Sequence, residues 1–162
     1  MEEFNSLLKS QKYAFISSVA LALSVFMPWA DIGIMSASLM DLPKFMQLAE
    51  AFGNNKTESF FDYLLIYSGY ILLILGGASA YFNFKSKPKK AKNIYFVIIG
   101  YLLLSLISTI IKDGSSNNDF SALNVMGVGM LIFIISLVAA FIYTKRSILE
   151  LEETEENDND LD

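Results

Sequence analysis

The segment FSALNVMGVGMLIFIISLVAAFIYT, residues 120–144, contains no acidic or basic side chain over 25 residues. An α-helix of about 20 apolar residues is long enough to cross the roughly 30 Å hydrocarbon layer of a membrane. A single run of this kind also fits a helix buried in the core of a soluble protein. The rest of the chain decides between these two interpretations.

Three further apolar runs precede this segment, over residues 13–30, 60–82 and 93–111. Asp62, at the edge of the second run, is the one acidic or basic side chain that they contain. Four such runs cannot all be internal in a chain of 162 residues, because too little sequence remains to cover them. We therefore predict an all-α integral membrane protein, an antiparallel up-down four-helix (tetraspan) bundle.

The predicted organisation is a single membrane domain over residues 1–146 and a cytoplasmic tail over residues 147–162. In chain order, the membrane domain comprises a first transmembrane helix (13–30), an outer loop (31–59), a second helix (60–82), an inner loop (83–92), a third helix (93–111), an outer loop (112–120) and a fourth helix (121–144). The tail ends in LELEETEENDNDLD, which holds eight acidic residues. We predict that this tail is disordered and solvated.

Basic residues are distributed unevenly between the two ends of the predicted bundle. Nine lie at one end: Lys9, Lys12, Lys85, Lys87, Lys89, Lys90, Lys92, Lys145 and Arg146. Three lie at the other: Lys44, Lys56 and Lys112. Because basic residues collect on the cytoplasmic side of membrane proteins, we expect a multi-pass protein of the plasma (cytoplasmic) membrane with both termini inside the cell. One arginine against eleven lysines is typical of a low-GC bacterial genome, which would make it an inner membrane protein.

The first run also fits a secretory signal peptide, because a basic flank precedes an apolar stretch. Glu2 and Glu3 in that flank favour a retained helix instead. Its end, at Pro28 and Trp29, is interpreted as the exit of the helix. The Trp29 indole either lies at the outer headgroups, where indole rings are favoured, or packs against the loop that follows.

The first outer loop contains two weaker patterns. Residues 31–40 alternate loosely between apolar and polar types and form either a small β-hairpin or an irregular loop. Residues 42–52, with Asp41 as N-cap, follow helical spacing and predict a short extracellular amphipathic helix. Either this helix covers the outer ends of the bundle helices, or its apolar side chains form a candidate outer-face interaction surface: Phe45, Met46, Leu48 and Phe52.

The second and third helices carry hydroxyl groups that lie deeper than a headgroup belt explains. A phenol buried among helices needs a hydrogen-bond partner or water. Either these groups are satisfied by neighbouring backbone and serines, or they line a polar intramembrane pocket that is partly wet. The candidate pocket residues are Tyr67, Tyr70, Ser105 and Ser108.

The composition excludes several kinds of chemistry. The chain has no cysteine and no histidine, so thiolate nucleophiles and histidine metal sites are excluded, and we expect no cofactor. No acidic or basic residue is expected at mid-membrane depth, and no pair of carboxylates shares a helix face. The lysines of the inner loop are too few to indicate nucleic-acid binding. We therefore expect no enzymatic activity.

In outline, the four helices with a long first outer loop and a shorter second one resemble the broad tetraspan class that includes claudin-like proteins. The paired cysteines of the claudin loop are absent, so the resemblance implies an architecture and no residue roles. The expected partners are the lipid bilayer and another membrane protein or a second copy of the chain. Two functions stay open: a non-enzymatic accessory, assembly or immunity-type protein that acts by association in the membrane or at its outer face, or a small oligomeric channel or carrier for a small solute.

Overall fold

The computed structural model describes residue 4 and residues 7–31, 36–51, 60–113 and 127–159, with side chains described over 4, 7–29, 36–47, 63–107 and 127–154. Most of these residues are helical. The helices are α1 (Lys9–Leu23), α2 (Leu42–Ala51), α3 (Phe60–Ile66), α4 (Ser68–Phe84), α5 (Pro88–Asp113) and α6 (Val128–Asn159). Two short strands, β1 (Pro28–Asp31) and β2 (Ser36–Ser38), lie between α1 and α2.

Four of the helices, α1, α4, α5 and α6, pack in a ring in which each contacts two neighbours. Neighbouring helices are antiparallel, since Lys89 near the start of α5 pairs with Glu152 near the end of α6, whereas Phe96 packs against Phe141. The shared core consists of Leu21, Val25, Leu72, Ala91, Tyr95, Ile98, Phe133 and Ala140. The predicted, predominantly helical fold is therefore confirmed.

Among the described residues, two helical segments are long and apolar enough to cross a membrane. They are Pro88–Ile107, with mean hydropathy 1.5, and Val128–Thr154, with mean hydropathy 2.1. Only 17% and 33% of their apolar windows are buried, whereas the core helix of a soluble domain is mostly buried. Ser68–Phe84 is apolar but shorter. These findings favour a membrane location.

The first helix differs from its predicted range of 13–30. It begins at Lys9, and α1 ends at Leu23, followed by one 3₁₀ turn over Ser24–Phe26. Met27 then becomes extended, with φ −83° and ψ 159°. Pro28 explains this change, because the ring of a proline disfavours helical backbone in the residue before it.

The small β-hairpin, which the sequence left open, is present and begins at Pro28 rather than after it. The strands are antiparallel, with Pro28 opposite Ser38 and Asp31 opposite Ser36, and an irregularity near Ala30. The first helix therefore ends directly before Pro28 and Trp29, and Trp29 itself lies in β1. The placement of its indole at the outer headgroups stays a prediction.

The predicted inner loop of residues 83–92 is shorter in the structure. The α4 helix continues to Phe84, and α5 begins at Pro88, so the turn consists of residues 85–87. Ser86 has φ 53° and closes α4, while the Lys87 N–H donates to the Phe82 carbonyl at 2.8 Å. Pro88 starts α5 where its missing N–H costs no helical hydrogen bond.

The predicted tail contains the last turns of α6, which continues without a break to Asn159. Glutamate is a good helix former, and Arg146 pairs with Glu150 one turn later at 3.0 Å. At 1.5 Å per residue, the 32 residues of α6 span about 48 Å, more than the hydrocarbon layer requires. The last turns of α6 therefore extend beyond the apolar part of the bundle.

Candidate functional site

Four buried polar side chains, one from each bundle helix, meet at one level of the bundle. They are Ser18 of α1, Asn83 of α4, Tyr95 of α5 and Thr144 of α6. The Ser18 Oγ and Tyr95 Oη atoms are 2.6 Å apart, and the Asn83 Nδ2 lies 3.1 Å from Ser18 Oγ and 2.8 Å from Tyr95 Oη. The Thr144 hydroxyl donates to Asn83 Oδ1 at 3.2 Å. We call these four residues the polar network.

The donors and acceptors of the polar network are matched. The Ser18 hydroxyl donates to the Ala14 carbonyl at 2.6 Å, so its oxygen is an acceptor toward Tyr95. Each proton of the Asn83 amide then reaches one hydroxyl oxygen, and its carbonyl accepts from Thr144. A buried network with every group satisfied holds its members in one arrangement and offers no open position to a ligand. Its hydrogen bonds join all four bundle helices at one level.

Sequence reasoning missed the polar network. Ser18 was not singled out in the first apolar run, and Asn83 fell inside the predicted inner loop. The available signal was an asparagine embedded in the apolar segment AYFNF, because a buried amide requires several partners. Nothing in the sequence shows that Tyr95 and Thr144 supply them, since these contacts depend on the packing of separate helices.

At the opposite end, the hairpin is seated on the start of α6. The Trp29 indole N–H donates to the Ser24 carbonyl at 2.8 Å, and its ring lies 5.0 Å from that of Phe133. The Gly127 N–H donates to the Trp29 carbonyl at 2.8 Å. A Cβ added to Gly127 would clash with the Pro28 carbonyl oxygen, so only glycine permits this approach. The hairpin is therefore fixed to the bundle.

The link between the hairpin and α2 is an acid–hydroxyl contact. The Ser38 hydroxyl donates to Asp41 Oδ2 at 2.6 Å, and the Ser38 N–H donates to the same oxygen at 3.3 Å. These two bonds, the hydroxyl first, lower the pKa of Asp41 below its usual range. The carboxylate therefore faces back toward β2, while the Asp41 backbone carbonyl accepts from the Lys44 and Phe45 N–H groups of α2.

The residues of the candidate outer-face surface do not all face the same way in the structure. The predicted helix over residues 42–52 is present as α2, and Phe45 is exposed on it. Met46 is half-buried and, with Leu42, lines a groove of 190 Å³ against Leu65 and Ile66. Leu48 is described by its backbone alone, and Phe52 lies outside the described residues. The structure thus presents Phe45 outward and turns Met46 toward the bundle.

The candidate pocket residues do not converge in the part of the chain that the structure describes. Tyr67 and Tyr70 are 46% and 44% exposed, and their rings lie 6.2 Å apart on the outer surface. The Ser105 hydroxyl donates to the Tyr101 carbonyl of its own helix at 3.0 Å. The Ser108 side chain is outside the described set, so a pocket that includes it stays a prediction.

The end of the bundle nearest the polar network is highly charged. The Ser10 hydroxyl and Arg146 both bond to Glu150, which joins α1 to α6. Lys89 pairs with Glu152 at 2.9 Å, which joins α5 to α6. Two grooves of 380 and 310 Å³ open at this end. The start of α1, the α4–α5 turn and the end of α6 therefore lie together.

Within the described residues, no three acidic, histidine or cysteine side chains come together to hold a metal ion. Comparison of the chain with protein-family models, with curated protein sequences and with solved structures finds no match. The fold and its surfaces are therefore the basis for a functional proposal.

Proposed function

We propose that all four bundle helices cross a lipid bilayer and that the protein acts without enzymatic chemistry, by association with another membrane protein or with a second copy of the chain. The observation that carries the membrane proposal is an inside-out distribution of side chains. Polar groups such as Ser18 and Asn83 are buried, whereas Ile74 and Ile135 are 69% and 68% exposed. A water-soluble bundle would show the opposite distribution. Large exposed apolar surfaces indicate contact with lipid or with another protein.

The packing supports four spans rather than two. The helices α1 and α4 lie beside α5 and α6, and the polar network takes one side chain from each at the same level. If α5 and α6 cross a bilayer, the other two occupy the same depth. Their exposed apolar side chains, such as Ile16 and Ile74, would then face lipid.

The charge distribution supports the cytoplasmic assignment of one end. The contacts of Glu150 and Glu152 bring the start of α1, the α4–α5 turn and the end of α6 together, so the nine basic residues predicted for that side share one end. Basic residues are retained on the cytoplasmic side of membranes. The hairpin and α2 would then face outward.

Association is favoured over transport by the outer end of the bundle. The hairpin is fixed to α6 through Trp29, and α2 extends from it with the Phe45 ring exposed. Below it, Tyr63, Tyr67 and Tyr70 form an exposed stripe along α3 and α4. Aromatic side chains on a rigid support are characteristic of protein interfaces. The channel or carrier hypothesis receives less support, because the four side chains of the polar network are bonded to one another and leave no open position among them.

The topology can be tested directly because the chain contains no cysteine. Single cysteines replace Gln47 on α2, Lys87 in the α4–α5 turn and Val138 in the middle of α6, and intact cells are treated with a membrane-impermeant maleimide. We expect Gln47→Cys to react at once, Lys87→Cys to react only after permeabilisation, and Val138→Cys to react poorly in both conditions. Rapid labelling of Lys87→Cys in intact cells, or efficient labelling of Val138→Cys, would overturn the topology.

Association is tested by photocrosslinking in the native membrane. A photoreactive phenylalanine replaces Phe45 or Tyr67, and Ile135 on α6 is the control because it is more exposed but faces the expected lipid. We expect a discrete protein adduct from the first two positions and none from the control. Equal adducts at all three positions, or none at any, would contradict the proposal.

Transport is tested by measuring solute flux through liposomes that contain the purified protein. Flux that Tyr67→Phe or Ser105→Ala alters would favour transport instead of association.

A further inference from the structure

The groove of 380 Å³ at the basic end lies between the α4–α5 turn and the last turns of α6. Its rim carries Lys87, Lys89 and Lys90, and its apolar wall consists of Pro88, Ile148 and Leu151. We call it the basic groove. A cavity that combines cations with an apolar wall matches an amphiphile with an anionic head.

The electrostatics of the basic groove are predominantly positive. Among the residues whose side chains the structure describes, Glu152 is the one acidic residue that lines the groove, 2.9 Å from Lys89, and three lysines on the rim face it. The Lys90 ammonium lies 5.7 Å from the centre of the Phe82 ring, which holds the lysine stem beside α4. Because Glu152 pairs with Lys89, it competes with a bound anion for one of the three lysines.

The position of the basic groove matches the headgroup layer. Phe96, about two turns from Lys89 and Lys90 on α5, is an exposed apolar side chain that packs against Phe141 of α6, on the α5–α6 side where the groove opens. An amphiphile with its head among the lysines can lay its acyl chains along this surface. A soluble anion would use the charges and leave the apolar surface uncovered.

We propose that the basic groove binds the headgroup of an anionic glycerophospholipid and that Glu152 weakens this binding. The proposal rests on the proposed insertion in a membrane but not on the proposed association with a protein partner. Basic residues near an anionic membrane surface contribute about 1 kcal/mol each, which corresponds to about fivefold in affinity per lysine.

The test uses the full chain, purified in a neutral detergent, with lipid binding measured by native mass spectrometry. The probes are dioleoyl phosphatidylglycerol, dioleoyl phosphatidylcholine and glycerol phosphate without acyl chains. We expect phosphatidylglycerol to bind in preference to the other two. The double variant Lys87→Gln/Lys90→Gln should bind about 30-fold more weakly, whereas Lys44→Gln at the opposite end should bind as the unaltered protein does.

A gain-of-binding variant separates the basic groove from general charge attraction. Glu152→Gln removes the internal competitor, and Glu153→Gln makes the same charge change at an exposed neighbour that does not line the groove. We expect about fivefold tighter binding of phosphatidylglycerol by the first variant and no change for the second. Equal effects of the two variants, or equal binding of phosphatidylcholine, would overturn the proposal. If glycerol phosphate saturates the basic groove as well as phosphatidylglycerol does, the ligand is a soluble anion and the proposal of a lipid is wrong. Cell fractionation distinguishes failure of the lipid-binding proposal from failure of the proposed membrane insertion. A chain that purifies from cytosol contradicts the insertion itself.

Discussion

The Asn83 amide donates to the Tyr95 hydroxyl at 2.8 Å across a turn that separates the two residues by 12 positions. This bond joins α4 to α5 at the level where Ser18 and Thr144 bring in α1 and α6. A helix that slid by one turn along its neighbour would leave several buried polar groups without partners. The polar network therefore selects one arrangement of helices whose apolar surfaces alone would permit several.

We expect Asn83→Ala to destabilise the bundle. The substitution removes three hydrogen bonds. Such bonds average about 0.6 kcal/mol in membrane bundles, so the expected loss is about 2 kcal/mol. Thermal unfolding in detergent, followed by the fluorescence of the single tryptophan, measures the change. Asn93→Ala, at an exposed asparagine of α5, is the control, and equal loss in both variants would show that the polar network contributes nothing specific.

Two adjacent glycines of α4 give a matched pair. A Cβ on Gly76 would lie 2.9 Å from Ala22 of α1, whereas a Cβ on Gly77 would meet nothing within 4 Å. We expect Gly76→Ala to cost about 1–3 kcal/mol by forcing α1 and α4 apart. Gly77→Ala should be neutral or stabilise by up to about 1 kcal/mol, because alanine favours the helix. If both variants melt alike, the close approach of the two helices is wrong.

We expect Ser86→Gly to stabilise the α4–α5 turn. Ser86 has φ 53°, a conformation that costs a residue with a side chain about 1–2 kcal/mol and costs glycine almost nothing. The melting temperature in detergent should therefore rise. Lys85→Gly is the control, because Lys85 has φ −84° and gains no such relief. A lower melting temperature for Ser86→Gly would contradict the left-handed turn.

Ser147 and Thr144 lie one turn apart on α6, and we expect opposite effects when their hydroxyls are removed. The Ser147 hydroxyl is buried with no hydrogen-bond partner among the described atoms, whereas the Thr144 hydroxyl donates to Asn83. Ser147→Ala should therefore raise the stability by about 1 kcal/mol, and Thr144→Val should lower it by a similar amount. The same melting assay measures both, and a destabilising Ser147→Ala would reveal a partner that the structure lacks.

The stability of the hairpin–α2 link should depend on pH. The Ser38 hydroxyl and N–H lower the pKa of Asp41, so the folded state favours the carboxylate over the acid. The stabilisation is present above the ordinary aspartic acid pKa and is lost as the pH falls through the lowered folded value. A carbon-detected NMR titration of the carboxyl group should show a higher pKa in Ser38→Ala than in the unaltered protein. An unchanged pKa would exclude the Ser38 contact as its cause.

The sequence predicted helices correctly where the pattern lies within one continuous segment, such as amphipathic spacing or an apolar run. The amphipathic spacing from Leu42 predicted α2 to within one residue of its end, and the apolar run before Phe82 predicted the helical content of α3 and α4. The end of α1 was misplaced, because Pro28 acts on the backbone one residue before it and starts a strand. The helix of the acidic tail was not predicted, because the run of glutamates was interpreted by its charge and not by the helix propensity of glutamate or the continuity with α6.

By itself, the sequence determined the number of apolar runs, the asymmetry of charge and the absence of thiol and imidazole chemistry. Each of these is a property of composition and spacing, which hold in any conformation of the chain. The tertiary structure alone decided that Ser18, Asn83, Tyr95 and Thr144 meet, that Phe45 faces outward, and that the lysines of the turn share a groove with Ile148 and Leu151. These contacts join residues up to 140 positions apart, as Ser10 and Glu150 are, and only the packing of four antiparallel helices brings such positions within bonding distance.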